Sequence, residues 1–208
     1  MILYKKVFLF FCFLLLYINL GSAQEAHEGA LKWKMAFLKK SGAAYESILF
    51  RNALSVAKRD LYQLYLGFDT KSYCYIIHED DEGKLPLVYR KNVSPGDKII
   101  LPGDDRDFLA AEFPGTSRFY VIVSSEPRQN LERLIEQSER RNVTANASSS
   151  LERSILSEVL AVRRNVSSFQ DIQDISSPPG EGDPAMRGEL YLFDCRDIMV
   201  VTVTVRVQ

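Results

Sequence analysis

Histidine is scarce in this chain: His27 and His78 are the only two among 208 residues. Catalysis that depends on an imidazole therefore has few places to begin. Cysteine is nearly as scarce, and Cys12, Cys74 and Cys195 form neither a CxxC pair nor the Cys/His spacing of a metal centre. There is no P-loop, no glycine fingerprint of a dinucleotide fold and no G-x-S-x-G elbow. Those absences set aside the common nucleotide-dependent enzymes and the zinc enzymes, and they indicate no cofactor. Neither sign of charge is in excess, with 26 Lys and Arg against 27 Asp and Glu. A nucleic-acid footprint or a polybasic membrane patch would need an imbalance. No apolar run reaches the roughly 20 residues of a membrane-spanning helix.

What is present begins with a leader. Lys5 and Lys6 precede an uncharged, mostly apolar run over residues 7–20, followed by Gly21, Ser22 and Ala23. A charged n-region, an apolar h-region and small residues at the end form the pattern of a secretory signal, with cleavage expected between Ala23 and Gln24. Residues 1–23 are thus read as a signal peptide, which leaves no stable membrane span after cleavage and a periplasmic or secreted product. Removing Lys5 and Lys6 from the 26 basic residues leaves 24 against 27 acidic, a net charge of −3. Residues 24–208 suffice for one domain with its own core.

From Met35 to Val123 the chain reads as short β-prone runs between turn signals. Tyr62, Leu64, Leu66 and Phe68 recur at period two, on one side of a strand. Residues 69–72 then turn the chain into Tyr73, Cys74, Tyr75, Ile76 and Ile77, and an antiparallel pairing of these two runs is expected. Pro86, inside the run 85–89, suits an edge strand. Ser94-Pro95-Gly96-Asp97 places proline and glycine where a type II turn wants them. Residues 119–123 are apolar throughout, as in a strand covered on both faces, and are expected at the middle of the core.

The period then changes. Pro127 suits the first turn of a helix carrying Leu131, Leu134 and Ile135 on one face. A polar stretch over 139–150 has little to pack. Ser149 and Glu152 have the spacing of a capping box ahead of a stripe formed by Leu151, Ile155, Leu156, Val159 and Leu160. Residues 165–187, rich in Ser, Asp, Pro and Gly, read as a loop. A terminal hairpin is expected from runs 189–193 and 198–207, with valines alternating with Thr202, Thr204 and Arg206. The fold expected from the residues is mostly β, with one or two packed helices in an insertion, about 126–187, before that C-terminal β-hairpin.

The succession of features over residues 64–127 resembles the DUF4384 family of bacterial extracytoplasmic domains. It is carried by Tyr73, Tyr75 and Ile76 before the acidic-glycine turn Asp80, Asp81 and Gly83. The run 87–89, Gly96, the triplet Ile100, Leu101 and Pro102, Phe108, the triplet Phe113, Pro114 and Gly115, and the run 119–125 with Pro127 follow in order. The resemblance implies a β-sandwich-like module without assigned catalytic residues. Phe113 stands where relatives often carry a second proline, and the helical insertion is longer than the family pattern.

The chemical candidates are few, and none forms a catalytic, cofactor-binding or metal set. A serine hydrolase would have to combine His78 with Ser124 or Ser125, although Ser125 is equally placed to cap a helix. His78, Glu79, Asp80, Asp81 and Glu82 offer oxygens to calcium without EF-hand spacing, and Asp104, Asp105 and Asp107 form a second acidic loop; acidic turns between strands are ordinarily solvated. Cys74 and Cys195 survive processing and would be free to form a disulfide in an oxidising compartment, or else to pack as small apolar residues. Tyr62, Tyr65, Tyr73, Tyr75 and Tyr89 would serve a glycan or peptidoglycan binder only if several were exposed in one groove. The expectation that remains is an exported, non-catalytic interaction module. Its partner is an envelope protein, and its interaction edge runs through Leu85, Leu87 and Tyr89 by β-addition.

Overall fold

The computed structural model describes residues 30–42, 44–48, 53–103, 108–109, 115–139, 145–165, 173–175, 186–188 and 190–208. The chain divides into two compact units, Met1–Ala30 and Leu31–Gln208, and every element below belongs to the second. Residues 1–23, read from the sequence as a signal peptide, lie outside the described residues.

The second unit is mostly β, in two sheets, with two helices on one of them. The larger sheet is organised by β1 (Leu31–Ser41). One side of β1 pairs antiparallel with β4 (Leu61–Phe68), from Trp33 opposite Phe68 to Lys39 opposite Tyr62. Its other side is shared by two strands end to end: β12 (Leu190–Cys195) against residues 31–35 and β2 (Ala44–Ile48) against residues 37–41. The far side of β4 carries β7 (Lys98–Leu101) and β8 (Phe108–Leu109). β10 (Gln173–Ile175) flanks β12, and β11 (Met186–Arg187) runs parallel to β2. The alternation of Leu31, Trp33, Met35 and Phe37 with Lys32 and Lys34 is a period-two signal that builds β1. These four apolar side chains face the core.

The second sheet has the order β3 (Leu54–Val56), β13 (Ile198–Val207), β9 (Thr116–Ser124), β5 (Ser72–Glu79), β6 (Leu87–Val93). Its centre is β9, whose residues 119–123 form the apolar run expected at the middle of the core. Phe119, Val121 and Val123 face the other sheet, while Tyr120 and Ile122 lie on the opposite face. The terminal valines behave as their alternation requires: Val201, Val203 and Val205 enter the core between the sheets.

The outer face of this sheet is covered by α1 (Gln129–Ser138) and α2 (Ala145–Asn165). Leu131 and Ile135 of α1 and Ile155, Val159 and Val162 of α2 pack with Tyr75, Ile77, Tyr120 and Ile122. Three details depart from the sequence reading. α2 begins at Ala145, a full turn before the Ser149 capping position, so Ser149 lies within the helix. α1 is preceded by Arg128 at its cap without a side-chain cap, and Ser125 instead donates to the Asp197 carbonyl at 3.2 Å. Within 165–187, read as loop, Asn165 ends α2 and residues 173–175 and 186–187 are strands; the rest of that segment lies outside the described residues.

The largest correction concerns β4 and β5. They are not a hairpin, because β4 belongs to the larger sheet and β5 to the smaller. The connecting residues are tied to β1: Asp69 N–H donates to the Lys32 carbonyl at 2.9 Å, and Lys32 N–H donates to Thr70 Oγ1 at 2.9 Å. Held there, the chain crosses from one layer to the other. The two terminal strands follow the helices as expected and are joined by residues 196–197. They too take their ladder partners from different layers, β12 from β1 and β13 from β9. The type II turn is as expected, with Asp97 N–H donating to the Ser94 carbonyl at 3.0 Å and Gly96 at φ 88°.

Candidate interaction edge

An open sheet has two outermost strands, and proteins commonly keep them short so that no foreign strand can pair there. β3 has three residues, β10 three, β11 two, β7 four and β8 two. β6 is different: it has seven residues, and among the described residues its one strand partner is β5, in unbroken register from Ser72 opposite Val93 to His78 opposite Leu87. Pro86 stands immediately before it, and a residue lacking an N–H is tolerated at the start of an edge strand.

Side chains alternate across β6. Leu87 and Tyr89 are half-buried and pack against the core between the sheets, while Val88 joins the cluster under the helices. Leu85, expected on the same edge, precedes the strand and is buried on the helix side, so it is not an edge residue. Leu87 and Tyr89 lie on β6, at the end of the sheet order. Burial raises the Tyr89 phenol above its ordinary range.

Arg90 faces the helices and was not singled out by the sequence, because its partners lie more than forty residues away. Its guanidinium pairs with Glu132, with Glu136 at 3.3 Å and with Glu139 at 3.1 Å, two carboxylates on one face of α1 and a third at its C-cap. Opposite Arg90 on β5, the Tyr75 hydroxyl donates to Glu132 Oε1 at 2.8 Å and accepts from Arg128 N–H at 2.9 Å. The start of α1, which lacks a side-chain cap, is therefore fixed by a phenol from the sheet. Burial raises the Tyr75 pKa, and the hydrogen bond to Glu132 adds to the shift.

The hydrolase constellation is not assembled. His78 is buried on the inner face of β5, and Ser124 sits opposite Tyr73, five residues along that strand, roughly 17 Å away at the usual strand rise. The Ser124 hydroxyl donates to the Glu126 carbonyl at 2.7 Å. Ser125 is committed to Asp197.

The acidic turn has structural employment. Asp80 Oδ1 accepts from Glu82 N–H at 3.0 Å and Lys84 N–H at 2.7 Å, and Glu79 accepts from Tyr120 at 2.7 Å and Arg118 at 3.4 Å. Burial, with the bond to Glu79, pushes the Tyr120 phenol up to about 12. Among the described residues no cluster of His, Cys, Asp or Glu could hold a metal ion. Asp104, Asp105 and Asp107 lie outside the described residues.

Cys74 and Cys195 are both buried and unbonded, Cys74 within β5 and Cys195 at the end of β12. The disulfide reading thus gives way to the packing one, and burial pushes the Cys195 thiol up to about 11, away from the reactive thiolate. Tyr62, Tyr65 and Tyr75 are buried, while Tyr73 and Tyr89 are partly buried on opposite faces of the smaller sheet, so these five do not share a groove. Among the described residues no helix is long and apolar enough to cross a membrane.

Comparison with family models, with curated proteins and with solved structures gave no match to this chain.

Proposed function

We propose that this chain is an exported, non-catalytic binding module of the cell envelope, and that it engages a protein partner by strand addition at β6. The observation that carries the reading is the seven-residue outermost strand, far longer than the other outermost strands and paired on one side only among the described residues. A backbone edge of that length offers hydrogen bonds to an incoming strand, and side chains at alternate positions supply selectivity. The leader pattern of residues 1–23 supports export to the periplasm or beyond. The resemblance to the DUF4384 family agrees with a β module that serves other proteins.

The test is retention of separated envelope proteins by the mature chain, residues 24–208, with proline placed at Lys91 and at Asn92 in turn. Along an antiparallel edge, neighbouring residues point their N–H groups alternately inward and outward. One of the two prolines therefore removes a bond to β5, and the other removes only a donor that faces the partner. Saturable retention lost in the variant whose fold is undisturbed supports the reading. Retention unchanged in that variant sinks it.

A further inference from the structure

The charges around β6 define what kind of strand would fit. Resting on the strand-addition reading above, we infer that the partner strand carries a basic side chain on the helix-facing side, next to Arg90, and apolar side chains on its other face at the positions opposite Tyr89 and Leu87.

Arg90 is one cation among three carboxylates, so the group formed with Glu132, Glu136 and Glu139 has a surplus of two negative charges. Glu132 is mostly covered and also holds Tyr75, whereas Glu136 and Glu139 are each 56% exposed. A strand added to β6 sets its side chain about 5 Å from Arg90 on the same face. From there a lysine or arginine reaches the Glu136 and Glu139 carboxylates, while an aspartate or glutamate meets the surplus of its own sign. The positions of the added strand opposite Tyr89 and Leu87 point to the other face, where an apolar side chain completes the cover of these half-buried residues; the position opposite Lys91, already paired with Asp97, is left open. Charge on one face and apolar surface on the other together fix register as well as sign, because a one-residue slip would exchange the two faces.

The experiment uses two synthetic ten-residue peptides of alternating threonine and valine, one with a central threonine replaced by lysine and one with it replaced by glutamate. Binding to the mature chain is followed by amide hydrogen exchange and by titration at two salt concentrations. The expected result is slowed exchange over residues 87–93 with the lysine peptide. Its affinity should be at least ten-fold above that of the glutamate peptide, a preference that shrinks as salt rises. The double variant Glu136→Lys, Glu139→Lys should invert the preference. Equal protection by both peptides, stronger protection by the glutamate peptide, or no protection over 87–93 by either would overturn the inference. If the proline variant whose fold is undisturbed still abolishes retention of an envelope protein, only the charge assignment has failed and strand addition stands. If that variant leaves retention unchanged, both fall.

Discussion

His78 lies face to face with Phe119, ring centroids 4.3 Å apart and planes 15° from parallel, each directly opposite the other on adjacent strands. An imidazole packed against an aromatic ring inside a β-sandwich has a different chemistry from one in a cleft. Burial, opposed only weakly by the Asp80 carboxylate, holds its pKa down to about 4, so it is neutral at physiological pH.

Acid should therefore loosen the fold through this residue. The unfolded chain takes up a proton at His78 near pH 6.5 and the folded chain only near 4, so between those values the unfolded state binds more protons and stability falls as pH falls. A shift of this size corresponds to about 3 kcal/mol once pH has dropped below both values. Urea unfolding at pH 7 and pH 4 should show that loss, and His78→Phe should remove most of it while carboxylate effects persist in both proteins. An identical pH dependence in the variant would mean that His78 is solvated and titrates normally.

Trp33, the chain's one tryptophan, stacks on Phe193 at 4.1 Å and reports on the junction of β1 with β12. Phe193→Ala removes that contact from a buried site and should cost about 3 kcal/mol, within the usual range for a core phenylalanine. The Trp33 emission should shift to longer wavelength in the native state and its unfolding midpoint should drop. A loss below about 1 kcal/mol would show that the 190–195 strand contributes little to the core.

The sequence announces those strands unevenly. Tyr62 to Phe68 and Phe119 to Val123 were legible because apolar alternation and apolar continuity are local properties. Pro86 pointed to an edge for the same reason: a missing N–H matters wherever the residue goes. The β4–β5 connection was not legible, since residues 69–72 look alike whether the chain folds back within one sheet or crosses to another. The choice is made by hydrogen bonds with Lys32, nearly forty residues upstream, which donates to Thr70 and accepts from Asp69. Arg90 was missed on the same account, its carboxylate partners being set by where α1 docks. The start of α2 was misplaced because a capping-box spacing marks where a helix could begin and says nothing of a helix that already runs through it.

The bond between sheet and helix at Tyr75 and Arg90 should be cooperative. Arg90→Ala alone should cost about 1 kcal/mol, less at high salt, since the ion pairs are part-exposed. Tyr75→Phe should cost about 1 to 2 kcal/mol by leaving Arg128 N–H and Glu132 without the hydroxyl. Because both residues hold Glu132, the double variant should lose less than the two single losses combined. Amide exchange should quicken first at the start of α1. Strict additivity, or an α1 whose exchange is unchanged, would show that the helix is held by its apolar face alone.

The register of the smaller sheet also sets an order of events during folding. Val121 at the centre of β9 pairs with Val201, eighty residues further along. As a chain emerges N-terminus first, β9 acquires β5 early and then presents its other edge, bare and centred on the apolar run 119–123, while both helices are still being delivered. Closing so long a loop adds only logarithmically to the entropic cost of pairing, so the delay barely weakens the finished sheet. It does lengthen the time in which the sheet is sticky, which makes holdase chaperones during synthesis a more decisive influence on the yield of this protein than its final stability.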